Sequence, residues 1–281
     1  MMNITQDYLR PRLLFRRDDS HKGDYGHLLV VAGCERMPGA AVLATGAALR
    51  SGCGLVTMHS TPRALQAAVN ACPSAMLSED SGAFIRRMPD ALDKYDAIAV
   101  GPGLGRNPET KEALLALLGA AKEANLPVLI DADALNLLSE VPLWKDYLSE
   151  YTVLTPHLGE LRRLMAGNEP DRFARELCSD PGCTLVVKGF HTKVYIPGQD
   201  CLVNTTGNPG LAKGGSGDVL TGLAGGLLAR GYAPADAAAL GVWLHGFAGD
   251  CLTRARTAEA WSSRDLIDHL YLGFKELYGD S

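Results

Sequence analysis

The chain has 281 residues, enough for one large α/β domain, and its 47% hydrophobic content with 6% aromatics supplies a mainly aliphatic core. A net charge of −5, with no basic run longer than two residues, excludes a broad nucleic-acid surface, so any anionic ligand must be held by local geometry. The seven cysteines form no CxxC pair, the N-terminus lacks an apolar signal core, and no apolar run approaches membrane-spanning length; reduced thiols in a cytoplasm are the expectation.

After a polar lead-in over residues 1–21, the segment 27–33 (HLLVVAG) reads as a strand ending in glycine, and the Ala-rich segment 39–51 as the helix that follows. The pattern recurs. Strands are expected at 55–59, 97–100 and 128–131, each before a helix: 62–70, 108–123 and one opening on DALNLL. Residues 152–155 lead through Pro156 into LGELRRLM, and 184–187 precede a hairpin made of 193–196 and 201–203. Such alternation predicts a central, mostly parallel sheet with helices on both faces. The segments 214–230, 233–254 and 263–277 are helical without intervening strands, so they should cover the sheet rather than extend it. The expected organisation is a lead-in over 1–21 and a single domain over 22–281.

Ligands in open α/β sheets gather beyond the carboxyl ends of the strands. Gly33 with residues 37–41, the turn 101–105, Asp131, His157, Lys188 and Asp218 would share that rim. The stretch NTTGNPGLAKGGSGDVLTG (204–222) joins glycines to one aspartate at the start of an apolar helix, whose first N–H groups are unpaired. A phosphate fits such a cradle without a lysine, and Asp218 at its lip would take a proton from a substrate hydroxyl. The plainer reading is an aspartate that caps the helix.

The other motifs carry similar alternatives. GPGLG (101–105) lacks the fourth-spaced glycine of a dinucleotide fingerprint and serves either a tight turn or a close backbone–ligand approach. In HLGE (157–160), Glu160 either holds magnesium through water or reaches back to cap the helix, and His157 is placed to hydrogen-bond a substrate amide or phosphate. Lys188 in KGFHT either meets a phosphate or snorkels from a strand end. Asp131 at the end of PVLID needs a partner or a cation to be buried there, which suits it to organising metal and phosphate, and Asp133 reads as a helix cap. Trp243, His245 and Asp250 on the late helix read as packing and satisfied polar contacts.

In order, KGDYGHLLVVAG (22–33), MPGAAVLA (37–44), AVGPGLG (99–105), VLIDADALN (128–136), LTPHLGEL (154–161), VVKGFHT (186–192) and the 204–222 stretch resemble the ADP/ATP-dependent NAD(P)H-hydrate dehydratases, a ribokinase-like family. The resemblance runs from Lys22 to about Asp250. It implies a lyase of metabolite repair that uses ADP or ATP to phosphorylate the hydroxyl of hydrated NADH or NADPH and then eliminates phosphate. It further implies that Ala40 or Ala41, Gly103 and His157 touch the hydrated dinucleotide. Lys188, Gly189, Phe190, His191 and Thr192, with Gly214, Gly215, Ser216 and Gly217, would hold the adenine nucleotide, and Asp218 would be catalytic. Mg²⁺ would bridge the nucleotide phosphates through water to Asp131 or Glu160. A homotetramer and a separate epimerase as functional partner are also implied, with no nucleic-acid or membrane partner. A vitamin kinase using the same cradle, or a non-catalytic nucleotide-binding protein, is the rival.

Overall fold

The computed structural model describes residues 1–89, 91–165 and 167–279. It opens with a two-residue strand, β1 (Met2–Asn3), and one helical turn, α1 (Gln6–Leu9). The strand–helix alternation then unfolds, with one strand (β4) beyond those the periodicity predicts: β2 (His27–Val31), α2 (Pro38–Ala48), β3 (Leu55–Ser60), α3 (Pro62–Ala71), β4 (Met76–Glu79), β5 (Ala97–Val100), α4 (Pro108–Glu123), β6 (Val128–Ile130) and α5 (Ala132–Leu138). It continues through β7 (Thr152–Leu154), α6 (Leu158–Met165), α7 (Pro170–Ser179) and β8 (Thr184–Val187) to the hairpin β9 (Lys193–Tyr195) and β10 (Leu202–Val203). Three helices close the fold: α8 (Ser216–Ala229), α9 (Pro234–Ala255) and α10 (Ser263–Tyr278).

All strands join one sheet in the order β1-β10-β9-β8-β7-β6-β5-β2-β3-β4. From β4 to β8 every pairing is parallel; β9 runs antiparallel to β8, β10 antiparallel to β9, and β1 parallel to β10. The two-residue period of a strand sorts the core. Leu28 and Val30 join Ala97, Ala99, Leu129 and Val153 under α2, α8, α9 and α10, whereas Leu29 and Val31 join Ile98, Val100, Ile130 and Leu154 under α4, α5, α6 and α7. Of the last three helices, α8 and α9 cover the sheet as expected, and α10 packs on α9, α2 and α8.

Beyond the lead-in, β4 and α7 were not anticipated. The edge strand β4 is mostly exposed and shows no apolar alternation, while α7 buries Phe173, Ala174, Leu177 and Cys178 at helical spacing. The lead-in is also more than a polar tail. Met2 and Asn3 pair with Leu202 and Val203, and Ile4, Leu9 and Leu13 belong to the same core as α8 and α9.

α8 is apolar all round and buried from Val219 to Ala229. Its glycines allow backbone to lie on backbone: a Cβ at Gly222 would stand 1.8 Å from the Ala44 carbonyl oxygen of α2. The clash is with main chain, so no side chain can move aside. Gly222→Ala is therefore expected to cost about 3 kcal/mol or more. Gly119→Ala on α4, where an added Cβ meets nothing within 4 Å, should instead raise stability by roughly 0.5–1 kcal/mol. Urea unfolding of the two variants beside the parent checks both signs.

Candidate active site at the strand ends

The chain leaves β2 toward β3 on one side, and β5 returns on the other, so the carboxyl ends of β2 and β5 flank a crevice. A cleft of about 520 Å³ opens there. Met37, Ala40 and Leu43 come from the β2–α2 connection and α2, Gly103 from the turn after β5, Asp133 and Asn136 from α5, Glu160 from α6, and Gly214, Gly215 and Asp218 from the start of α8. The larger grooves along α7 and beside the C-terminus of α10 touch no strand end and lack such a glycine cradle. Ala40, Gly103, Glu160, Gly214, Gly215 and Asp218 thus meet in one cavity.

Beneath the cradle lies a buried ion pair. Asp131 is 1% exposed, and its carboxylate accepts a hydrogen bond from Lys188 Nζ at 2.6 Å and from the Thr221 hydroxyl at 2.6 Å. Lys188 therefore turns inward instead of snorkelling, and its Nζ lies 3.6 Å from where a Cβ on Gly217 would stand. Burial and then the like charge of Asp131 push the half-buried Asp218 carboxyl up to about 6, against the pull of Lys188. Asp133 does not cap α5; it sits within its first turn and accepts from the Gly105 N–H at 2.9 Å, tying the 101–105 turn to α5.

His157 and Glu160 cap each other. The Glu160 carboxylate accepts from the His157 N–H at 2.7 Å, and His157 Nδ1 accepts from the N–H groups of Gly159 (2.9 Å) and Glu160 (3.3 Å). With Nδ1 accepting, the ring proton is on Nε2, 3.3 Å from Glu160 Oε1. Burial raises the Glu160 pKa, with Lys188 opposing.

Two expected contacts are corrected. Ala41 is fully buried, and its Cβ would stand 2.8 Å from a Cβ built on Gly33; it faces the core while Ala40, one residue earlier, faces the cleft. The Ser216 side chain also points inward, its hydroxyl 3.2 Å from His245 Nε2, so only its backbone remains for a ligand. The segment after Lys188 forms the β8–β9 turn: Thr192 Oγ1 donates to the Gly189 carbonyl at 3.1 Å, and the 86%-exposed Phe190 packs on His191 with ring centroids 4.1 Å apart.

The residues read as packing have a sharper task. His245 Nε2 donates to the Ser216 carbonyl at 2.9 Å, and Asp250 accepts from the Gly207 N–H (2.9 Å) and Asn208 Nδ2 (2.8 Å). Asn204 Nδ2 donates to the Val242 carbonyl at 3.0 Å, the Thr206 hydroxyl to the Trp243 carbonyl at 3.1 Å, and the Thr253 hydroxyl to Asn208 Oδ1 at 2.9 Å. One face of α9, with residues about a turn apart, thus holds the loop that becomes the cradle. That spacing was the available signal.

Residues 28–271 match the sequence profile of the NAD(P)H-hydrate dehydratases. The chain belongs to that family. It is 37% identical over 285 residues to the bifunctional NAD(P)H-hydrate repair enzyme of Moorella thermoacetica, a match covering 95% of the chain and 52% of that protein. The chain spans about half the length of the first curated relatives it matches. The crystal structure of the ADP/ATP-dependent NAD(P)H-hydrate dehydratase from Bacillus subtilis, co-crystallised with ATP and Mg²⁺, superposes with a TM-score of 0.83 at 31% identity, covering 98% of each chain. Thermotoga maritima ribokinase, 14% identical over 88% of the chain and 100% of its own, shares the fold with a TM-score of 0.56. The dehydratase family, a group of lyases, is thus built here on a ribokinase-like sheet. Among the described residues no helix is long and apolar enough to cross a membrane.

His245 makes the cradle's anchoring pH-dependent. Burial pushes its pKa down to about 4, whereas an unfolded histidine titrates near 6.5. A base with a depressed native pKa leaves stability intact above pH 6.5 and erodes it as pH falls toward 4, by up to about 1.4 kcal/mol per pH unit. Asp218 acts with the opposite sign, but equally in both proteins compared. Urea titrations at pH 7, 6 and 5 should show a steeper decline for the parent than for His245→Asn, whatever their absolute stabilities. Parallel slopes would remove His245 from the linkage.

Proposed function

We propose that this chain dehydrates hydrated NADH or NADPH, using ADP or ATP as phosphoryl donor and releasing phosphate. The observation that carries the reading is the Asp218 carboxyl, held at the mouth of the Gly214–Gly217 cradle and raised to about 6. The nucleotide's terminal phosphates lie against the cradle backbone, with Lys188 below them. The hydrate enters along Ala40 and Gly103, its hydroxyl toward Asp218.

The chemistry is redox-neutral. Asp218 accepts the hydroxyl proton as the oxygen attacks the terminal phosphorus and the bond to AMP or ADP breaks. N–H groups at the start of α8 meet the charge that builds on the transferring oxygens. Hydroxide is a poor leaving group and phosphate a good one. The ring nitrogen's lone pair then expels phosphate, and loss of a proton from the neighbouring carbon restores the dihydropyridine.

Among the described residues no three His, Cys, Asp or Glu side chains are grouped to hold a metal ion. Asp131 is engaged by Lys188 and Thr221, and Glu160 by the His157 N–H. Glu160 at the cleft and Asp131 beneath it would therefore hold Mg²⁺ through water rather than directly, and the ion would shield the nucleotide's phosphate charge. The same reading includes a cytoplasmic homotetramer and an epimerase that interconverts the hydrate's epimers. The bifunctional relatives, about twice as long, leave room for a second repair activity.

Asp218→Asn should keep nucleotide affinity and lower kcat by about 10²–10⁴-fold. In the parent, kcat/KM should rise with pH through about 6 as the carboxylate forms, and that limb should vanish in the variant. An acid with a raised native pKa loses stability as pH rises through it, so Asp218→Asn should also melt higher at pH 7. The assay follows recovery of reduced-nicotinamide absorbance and phosphate release from hydrated NADH with Mg²⁺ and ADP or ATP. Recovery without nucleotide would overturn the route, and a stable phosphorylated product would favour a kinase.

A further inference from the structure

The cleft is acidic, although the substrates proposed for it are polyanions. Asp133, Glu160 and Asp218 line it, and the charge of Lys188 is already met by Asp131 at 2.6 Å. Arg36 is the sole cation among the residues lining this cleft. It stands on the β2–α2 connection, exposed, and among the described residues it makes no hydrogen bond or ion pair; the adjacent Glu35 is instead taken by Arg63 at 3.1 Å. An exposed arginine in bulk solvent needs no explanation, but this one stands at the wall of a cleft holding three carboxylates, the one cation among its lining residues.

Resting on the dehydratase reading, we propose that Arg36 binds the pyrophosphate of the hydrated dinucleotide and so orients it in the cleft. The hydrated ring must present its hydroxyl to Asp218. In a nicotinamide dinucleotide the pyrophosphate follows one ribose from that ring, whereas the 2′-phosphate of the NADP form lies on the far ribose. A side chain sharing a cleft of about 520 Å³ with Asp218 meets the nearer group. The guanidinium fork matches two phosphate oxygens at once. The co-substrate nucleotide has its own cradle at Gly214–Gly217, so Arg36 serves the dinucleotide. Its contact is equally strong before and during reaction, which places its effect in KM rather than kcat.

The test uses Arg36→Gln and Arg36→Lys in steady-state assays with hydrated NADH and hydrated NADPH. It adds direct titration of NADH and NADPH, products with the same pyrophosphate, by nicotinamide fluorescence without ADP or ATP. Arg36→Gln should raise KM for both hydrates, and Kd for both products, by about tenfold, the size of one charge-assisted hydrogen bond. The kcat and the KM for ADP or ATP should stay within about twofold, with Arg36→Lys recovering part of the loss. Unchanged KM and Kd would overturn the proposal. So would a rise confined to the NADP forms, which would put Arg36 on the 2′-phosphate, or a rise confined to the ADP or ATP KM. A parent that turns over neither hydrate would defeat the dehydratase reading, while the NADH and NADPH titrations would still decide the pyrophosphate contact.

Discussion

The arrangement depends on one buried carboxylate. Asp131 is held by Lys188 and by the Thr221 hydroxyl, each at 2.6 Å, and so joins the ends of β6 and β8 to the second turn of α8. Removing a carboxylate from water costs several kcal/mol unless its oxygens are matched, and here one meets an ammonium and the other a hydroxyl. The three partners are distant in sequence, so the contact exists only once β6, β8 and α8 are in place. It also fixes a negative charge beneath the cradle, and that charge, after burial, is what lifts Asp218. Structure and acid–base poise share a single device.

Strain and burial near the site work against stability. Ala132, next to Asp131, adopts a left-handed φ of 49°, which costs a non-glycine residue about 1–3 kcal/mol. Asp218 is half-buried and, among the described residues, has no ion-pair partner of its own. The rest of the fold offsets these costs by close packing: α8 lies directly on α2 and the sheet, and α9 fastens the preceding loop through His245 and Asp250. Rigid scaffolding around an unfavourable centre is how a site keeps its geometry without relaxing it away.

Much of the fold was legible because strand and helix periods differ so plainly. Glycine-ended Val/Leu runs marked β2, β5 and the rim, and consecutive apolar helices marked the cover. What failed was local choice. Ala40 and Ala41 are about 100° apart on a helix whose sequence, PGAAVLATGAA, is apolar on every side, so no pattern told the cleft side from the core side. β1 was hidden because its pairing with β10 spans 200 residues and involves only Met2 and Asn3. The inward turn of Lys188, left open between a phosphate contact and a snorkelling strand end, was not legible because its partner, Asp131, is 57 residues away in sequence, and only the parallel sheet brings them together. By contrast, the α9 face that carries Trp243, His245 and Asp250 was written in helical spacing, and reading those residues one at a time obscured it.

The routing of two lysines would leave a phosphate bound at the cradle facing mainly neutral N–H groups. Lys213 belongs to the glycine-rich stretch, yet its ammonium turns away, 3.8 Å from the Trp261 ring centroid and 3.1 Å from the Ala258 carbonyl oxygen. Lys188 does approach, but Asp131 answers its charge. Had either stood unpaired beside Asp218, the attraction would favour the carboxylate and draw its pKa back toward the ordinary acid range, weakening it as a base. Backbone N–H groups impose a smaller, directional field that meets phosphate oxygens without bringing a full positive charge to the neighbouring carboxyl. A glycine-built anion site and a raised aspartate are therefore compatible in a way that a lysine-built site and the same aspartate are not, and placing both lysines elsewhere preserves that pairing.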